Sequence, residues 1–255
     1  MLFGYSAMPD DCNRAKMAGY DYVELPGKVV AAMDDTEFAA FAKSLSIPAL
    51  RMNAYCPPEV VIAGPGYDRA AVREYAQKLL PRIALLGTEM VGIGSPMSRK
   101  LPPGFDPALA RAQIEGFLLE TVHVFEGRGV KVCFEALASF YCNTVNYLAE
   151  AVDIVEGLNH PDIKIVLDFY NMEHMQEADI SLEGVPFVHV HVSDDDGVYT
   201  LRSPLKAEKA AIHQQRLARL LDVGYDGGIT LEVDIPFDSD RAEETLHIMR
   251  HAVLA

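Results

Sequence analysis

Eight short β-rich runs alternate with segments of helical periodicity along this chain, and that alternation restricts the fold more than any other feature of the sequence. Strict strand–helix alternation predicts a parallel sheet, because parallel strands need a crossover connection that is usually a helix. Eight units in 255 residues average about 32 residues, the length of one βα unit. No Gly-x-Gly-x-x-Gly sequence opens any unit, so an α/β fold of the (β/α)8 TIM barrel type is favoured over a doubly wound sheet. The predicted strands are residues 2–6, 22–26, 49–54, 90–95, 131–137, 164–170, 187–193 and 229–234.

Residues that start and end helices support the same eight units. Asp34, Asp68 and Asp106 each precede a helical segment, where a carboxylate caps the first free N–H groups. Gly87 follows a helix end, where a left-handed residue is wanted. The sixth helix, within residues 172–182, is short and polar. No linker or shift in composition divides the chain, so we expect a single domain over residues 1–255.

The composition excludes several classes of partner. The chain has 22 basic and 37 acidic residues, which give it a formal charge of −15. A surface of this charge repels nucleic-acid phosphates and anionic lipid. The four cysteines form no Cys-x-x-Cys pair, as expected for a reduced protein. No signal peptide begins the sequence, and no stretch approaches the roughly 18 apolar residues of a membrane span. We therefore expect a cytoplasmic protein that binds neither nucleic acid nor membranes.

The stretch at 187–194, FVHVHVSD, carries two histidines on one face of a predicted strand. Three valines alternate with His189, His191 and Ser193 at the two-residue period that sends alternate side chains to opposite faces. Each buried ring nitrogen needs a hydrogen-bond partner or a metal. The alternative is a pair of core histidines that neighbouring side chains satisfy.

Reactive side chains in such barrels lie at the C-terminal ends of strands, and this rule selects four residues. Glu135, Asp168, His191 and Glu232 follow one another at separations of 33, 23 and 41 residues, roughly one βα step each. Three carboxylates and an imidazole cannot share a pocket unpaired, since like charges oppose ionisation. A divalent cation resolves the conflict: Mn²⁺ or Mg²⁺ suits this oxygen-rich set best, and Co²⁺ or Zn²⁺ is compatible. His189 lies one layer below and is expected to orient a ligand through a hydrogen bond.

Six segments spread over nearly the whole chain resemble the xylose isomerase-like barrel superfamily. They are GYDYVEL at 19–25, SRKLPPGFD at 98–106, FEAL at 134–137, NHPDIKIVLDFYNM at 159–172, HVHVSD at 189–194 and GYDGGITLEVD at 224–234. The resemblance is to its sugar-phosphate isomerase/epimerase group, which includes ketose 3-epimerases and hydroxypyruvate isomerases. The family's metal ligands fall on Glu135, Asp168, His191 and Glu232.

That resemblance implies a reaction on a small sugar-like substrate. The substrate would be a sugar, a sugar phosphate or a keto-polyol with a hydroxyl group next to a carbonyl. A divalent metal would stabilise the enediolate formed when the α-proton leaves. Glu135 and Glu232 would act as the acid/base pair, in an order that the sequence leaves open.

The residues expected to contact substrate depart from the family pattern. Asn171 stands where members usually carry a histidine, and residues 138–141, Ala-Ser-Phe-Tyr, replace an Asn-Arg-x-Glu stretch. Arg202 is the candidate for an arginine expected after the seventh strand. Glu24 is assigned to substrate hydroxyls or to a barrel salt bridge, and Asn53 to the pocket lining or to core packing. The residues expected to bind the metal therefore match the family, whereas those expected to contact the substrate differ from it.

The loop at 95–106 carries a basic pair, Arg99 and Lys100. Such a loop is long enough to act as a lid or to contact a phosphate group. The usual placement of these residue types favours solvated surface charge instead.

Three other functions compete with the isomerase or epimerase. A dehydratase of keto-inositols or of dehydroshikimate would begin with the same proton abstraction. A phosphodiesterase resembling the family-2 apurinic endonucleases would need additional histidines, which the sequences VELPG, RMNAYC and DFYN lack. A binding subunit could retain the barrel without catalysis. An apolar patch on one barrel face would indicate a homo-oligomer, and the sequence does not place one.

Overall fold

Eight parallel strands close into a barrel at the centre of the protein, whose structure, a computed structural model, describes residues 1–254. The strands follow chain order around the barrel, and the last one pairs with the first. The predicted (β/α)8 fold is therefore confirmed. The barrel strands are β1 (Leu2–Ser6), β2 (Tyr22–Pro26), β3 (Arg51–Asn53), β4 (Met90–Ile93), β5 (Lys131–Glu135), β6 (Ile163–Asp168), β7 (Phe187–Val192) and β10 (Gly228–Leu231). Between β7 and β10, β8 (Asp194–Asp195) and β9 (Arg202–Ser203) form a separate antiparallel pair.

Helices connect these strands and begin where the capping residues predict. The side chain of Asp34 accepts a hydrogen bond from the backbone of Glu37, and Asp68 and Asp106 cap their helices in the same way. Gly87 ends its helix at a φ of 70°, the left-handed conformation that glycine adopts without strain. The helices are α1 (Cys12–Met17), α2 (Gly27–Ala32), α3 (Asp35–Ser44), α4 (Arg69–Leu86), α5 (Pro107–Phe125), α6 (Leu148–Leu158), α7 (Phe169–His174), α8 (Ala210–Asp222) and α9 (Ser239–Leu254).

The sixth predicted helix was wrong in its position. We expected it within residues 172–182, whereas α7 begins directly after β6. Asp168, the last residue of β6, accepts hydrogen bonds from the backbone N–H groups of Tyr170 at 2.7 Å and Asn171 at 3.0 Å. Its side chain therefore caps the helix, and the chain leaves the sheet two residues earlier than predicted.

Strand register brings the predicted site residues to one end of the barrel. Asp168 is opposite His191 between β6 and β7, and Glu135 is the last residue of β5. Glu232, immediately after β10, donates its backbone N–H to Val192 at 3.0 Å. Because the strands are parallel, all four side chains lie at the carboxyl-terminal mouth of the barrel.

A closed layer of side chains fills the barrel below this mouth. Cys133 and Val166 pack with Met90, and the hydroxyl groups of Tyr22 and Thr230 lie 2.8 Å apart. These side chains are buried, so the barrel is plugged below the site.

The four cysteines are buried and free of disulfide bonds, as the sequence predicts. Within residues 1–254, no helix combines the length and the apolar character needed to cross a lipid bilayer.

Candidate active site

Glu135, Asp168, His191 and Glu232 converge on one small volume. One donor atom from each lies within 4.8 Å of the others. The Nδ1 atom of His191 is 3.4 Å from Glu232 Oε2, 3.7 Å from Glu135 Oε1 and 3.9 Å from Asp168 Oδ2. The strand-end rule therefore selects four side chains that the fold brings together.

The tautomer of His191 is set by Glu24, on the opposite side of the ring. His191 Nε2 lies 3.1 Å from both carboxylate oxygens of Glu24, which can only accept hydrogen bonds. Nε2 therefore carries a proton, and Nδ1 faces the three other carboxylates without a hydrogen-bond partner. Burial opposes protonation of His191, but Glu24, Glu232 and Glu135 outweigh it and raise the pKa of His191 well above its usual value. The site thus favours positive charge at Nδ1, which a proton or a metal ion supplies.

The residues present fit a divalent cation. Three carboxylates and one imidazole nitrogen form a hard, oxygen-rich donor set. His191 Nδ1 is buried without a hydrogen-bond partner, as expected of a ligand atom, and Glu232 Oε2 lies 3.0 Å from the guanidinium of Arg202. The second ring nitrogen of His191 is bound to a carboxylate, the arrangement that orients metal-ligating histidines in proteins.

Glu24 and His189 are buried below the barrel mouth, where Glu24 is out of reach of solvent. Glu24 is fully buried, and it accepts a hydrogen bond from His189 Nε2 at 2.8 Å as well as from His191. Burial opposes its ionisation, but the two histidines outweigh that effect and lower the pKa of Glu24 well below its usual value. The barrel salt bridge is thus the alternative that the structure favours. His189 packs edge-on against His191, and both rings are connected through their hydrogen bonds to Glu24.

Two asparagines hold the two glutamates. Asn171 donates from Nδ2 to Glu135 Oε1 at 3.1 Å, and its own oxygen accepts the backbone N–H of Ala138. Asn53 donates from Nδ2 to Glu232 Oε1 at 3.0 Å, while its Oδ1 is buried without a partner. Both asparagines therefore position glutamates, and Asn53 also offers a free acceptor.

Arg202 lies on β9, in the hairpin formed by β8 and β9, and its side chain enters the site. Its Nη1 donates to Asp168 Oδ2 at 2.7 Å and lies 3.0 Å from Glu232 Oε2. Burial disfavours charge on Glu232, but Arg202 and His191 outweigh it and lower the pKa of this carboxyl to about 2. Burial, with Asp168 and Glu232 nearby, raises the pKa of Glu135 to about 7, although His191 opposes this shift. The two glutamates therefore differ in charge environment.

The loop after β4 packs more closely on the site than predicted. Arg99 is fully buried, so the expected solvated charge was wrong for this residue, while Lys100 is exposed. Arg99 Nη2 donates to the carbonyl oxygen of Glu135 at 2.7 Å, and its guanidinium lies 4.8 Å from the ring centre of Phe134. A Cβ atom at Gly94 would lie 2.5 Å from Glu135 Oε2, so any larger residue at this position would displace that carboxylate.

Two adjoining pockets, of about 300 and 180 Å³, open onto the site from the barrel mouth. Both reach Glu232, and the smaller one also reaches Glu135 and Arg202. Lys28 and Asp234 line both pockets and were not selected from the sequence. In the sequence, these two residues are marked only by a position just after a barrel strand, and several residues outside the site share that position.

The family model that matches this chain is described as xylose isomerase-like TIM barrel, and it matches residues 12–252. D-psicose 3-epimerase of Agrobacterium fabrum (strain C58) is 23% identical over 224 residues, covering 84% of this chain and 75% of the relative. Inosose isomerase of Halalkalibacterium halodurans is 24% identical over 250 residues, covering 91% and 84%.

Solved structures share the fold at low identity. D-psicose 3-epimerase from Clostridium cellulolyticum H10, solved with D-tagatose, superposes with a TM-score of 0.78 at 17% identity, over 99% of both chains. The IOLI protein, solved with a bound zinc atom, gives a TM-score of 0.67 at 18% identity, over 100% of this chain and 97% of that one.

Proposed function

The chain belongs to the xylose isomerase-like TIM barrel family, and we propose that it is a divalent-metal-dependent epimerase or isomerase of a small sugar-like substrate. The substrate carries a hydroxyl group next to a carbonyl. The relatives named as epimerase and isomerase support an enzyme of the isomerase class. The observation that carries the proposal is the convergence of three carboxylates on His191 Nδ1, a buried nitrogen without a hydrogen-bond partner.

Glu135, Asp168, His191 and Glu232 would hold the metal ion. When bound, it supplies Lewis-acid stabilisation of the negative charge that develops on the substrate oxygens, worth several kcal/mol. Zinc in the IOLI protein supports a metal in this fold, and Mn²⁺, Mg²⁺ or Co²⁺ also suits these ligands.

Glu135 and Glu232 move the proton. One carboxylate removes the proton next to the carbonyl, and the other returns a proton to the opposite face or to the neighbouring carbon. Each is held in place by an asparagine amide at 3.1 or 3.0 Å, so neither needs to reorganise during the transfer. Asp168 is held in place by two backbone hydrogen bonds and a third from Arg202.

The substrate occupies the two pockets at the barrel mouth. Asn53 Oδ1 accepts a hydrogen bond from a substrate hydroxyl, since it is buried without another partner. Arg202 contributes positive charge beside the reacting carbon, as well as its contacts with Asp168 and Glu232. The barrel layer below Glu24 excludes water from the opposite side.

The test begins with metal removal by a chelator, followed by reloading with Mn²⁺, Co²⁺, Zn²⁺ or Mg²⁺. Each form is incubated in D₂O with a panel of ketoses, ketose phosphates and keto-inositols, and the products are followed by NMR. We expect metal-dependent deuterium incorporation next to the carbonyl, with no loss of water. Glu135→Gln and Glu232→Gln should each lower this exchange by at least about 100-fold, the scale of general acid–base catalysis. Glu74→Gln, at an exposed position on α4, is the matched control and should be unaffected.

Other outcomes point to the competing functions. Loss of water from a keto-inositol would identify a dehydratase, and nicking of abasic duplex DNA would identify a phosphodiesterase. Exchange and metal content that are unchanged in both glutamine variants would overturn the catalytic proposal.

A further inference from the structure

The hydroxyl group of Tyr141 is a buried polar atom without a partner, and it belongs to the wall of the smaller pocket. Its oxygen makes no hydrogen bond in the structure. The same pocket is lined by Glu135, Glu232 and Arg202. A buried donor that is left unsatisfied in the free protein is costly, so such groups are kept where a ligand or a water molecule completes them.

Tyr141 packs on Phe140, which belongs to an aromatic cluster with Tyr170, His174 and Tyr199. Phe140 lies 4.5 Å from Tyr141, 4.9 Å from Tyr199 and 5.0 Å from His174, measured between ring centres. These contacts join the loop after β5, helix α7 and the tip of the hairpin. Phe140, on which the ring of Tyr141 packs, is therefore held by contacts from other segments of the chain, and the Tyr141 hydroxyl group makes no hydrogen bond that would fix the ring.

Arg202 packs on the same ring from the side of the metal ligands. Its guanidinium lies 5.5 Å from the ring centre of Tyr141 and 5.0 Å from that of Tyr170. Tyr141 is thus within reach of the group that also contacts Asp168 and Glu232. Burial, together with nearby Asp234, Glu232 and Asp168, raises the pKa of Tyr141 to about 12, although Arg202 opposes this. Its hydroxyl group therefore stays protonated at neutral pH.

We propose that Tyr141 contacts the substrate and determines specificity, with its hydroxyl group hydrogen-bonding one hydroxyl group of the sugar-like substrate. This inference rests on the proposed function. A phenol is neutral, so at this point the pocket neither attracts nor repels a charged substituent. A site built to hydrogen-bond one hydroxyl group rejects an analogue that lacks it, because the buried partner is then left unpaired.

The test compares Tyr141→Phe with Tyr67→Phe. Phenylalanine keeps the ring that packs on Arg202 and Phe140, and removes only the hydroxyl group. Tyr67 is a matched control because its hydroxyl group is also buried without a partner, but it lies against Gly116 of α5. Both variants should match the wild type in melting temperature and in metal affinity measured by calorimetry, since neither loses a hydrogen bond.

We expect Tyr141→Phe to raise KM for the preferred sugar by about 3- to 10-fold, the scale of one hydrogen bond, and to weaken sugar binding equally in calorimetry. A series of monodeoxy sugars then locates the contact. For the analogue that lacks the contacted hydroxyl group, wild type and Tyr141→Phe should have the same KM.

Two results overturn the inference in distinguishable ways. In the first, the wild type converts a sugar, and Tyr141→Phe binds that sugar as tightly as Tyr67→Phe does. The hydroxyl group of Tyr141 then contacts only water, so the inference about Tyr141 fails while the proposed function stands. If the metal-loaded wild type neither binds nor converts any sugar of the panel, the proposed function fails, and the role of Tyr141 fails with it.

Discussion

Replacing Glu24 by glutamine tests whether this buried carboxylate fixes the metal-binding tautomer of His191. Glu24 accepts hydrogen bonds from the Nε2 atoms of both His189 and His191, at 2.8 and 3.1 Å. A glutamine side chain offers one acceptor oxygen and one amide donor. In Glu24→Gln one histidine therefore faces a donor, and it must move its own proton to Nδ1 to avoid a donor–donor contact. If that histidine is His191, the proton occupies the nitrogen that faces the three carboxylates.

The expected loss is 10- to 100-fold in metal affinity, the usual cost of changing a group that orients a ligating histidine. It corresponds to about 1.4–2.8 kcal/mol. The loss of negative charge 3.1 Å from His191 acts in the same direction, because it lowers the basicity of the ligand.

Calorimetric titration of the chelator-treated protein with Mn²⁺ near neutral pH measures this effect, and the melting temperature of the metal-free form checks the fold. Glu120→Gln is the matched control, since Glu120 is another buried carboxylate, paired with Arg69 and Arg73 on the outside of the barrel. Nitrogen NMR of the imidazole rings reports the tautomer directly. A folded Glu24→Gln protein with wild-type affinity, and with His191 still protonated at Nε2, would refute the reasoning.

Two further predictions concern the loops around the site. Asp194 is contacted by Lys209, His213 and the backbone of Lys206; burial opposes its ionisation, but these partners lower its pKa from 3.8 to about 2. A carboxyl group whose pKa is lowered by folding stabilises the folded state at pH values above its unfolded pKa, and this contribution is lost as the pH falls. Asp194→Asn should therefore cost about 2 kcal/mol of unfolding free energy near neutral pH, with the difference shrinking between about pH 4 and about pH 2 in denaturant titrations; a gap that is constant with pH would contradict this. Gly94→Ala should displace Glu135 and lower metal-dependent exchange at least about 10-fold without changing the fold. The control is Gly157→Ala in α6, where the added Cβ meets only an arginine nitrogen at 3.5 Å, and this variant should be neutral or more stable. Equal activity in both variants would show that Glu135 tolerates the methyl group.

The sequence predicts the barrel and the four converging residues because both depend on local patterns. Alternation of strand and helix fixes the order of the strands, and parallel register then carries Asp168 and His191 to the same level. A residue at the end of a strand is therefore placed by its own strand, without knowledge of distant contacts. This is why a simple positional rule selects side chains that lie within 4.8 Å of one another.

The residues that the sequence misplaces are those positioned by distant parts of the chain. Glu24 lies in the middle of β2, and only the pairing with histidines 165 and 167 residues later reveals its role. Arg202 reaches the site through a two-residue strand that no periodicity could indicate. Arg99 is buried because its loop folds over Phe134, whereas residue type alone predicts exposure.

Under the proposed function, the same division explains how one fold can keep its metal ligands while its substrate contacts change. Asp168 has one oxygen fixed by backbone N–H groups of α7 and the other directed to Arg202, so strand and helix geometry hold it whatever the loops contain. Tyr141 and Arg202 instead come from the loop after β5 and from the hairpin, and they contact each other across the pocket. Under the proposed function, substitutions in the loop after β5 can therefore change which sugar fits without moving a metal ligand, whereas a substitution of Arg202 also removes its contacts with Asp168 and Glu232. Changes on the barrel strands, by contrast, affect every substrate at once, because they act on the charge cluster that all of them share.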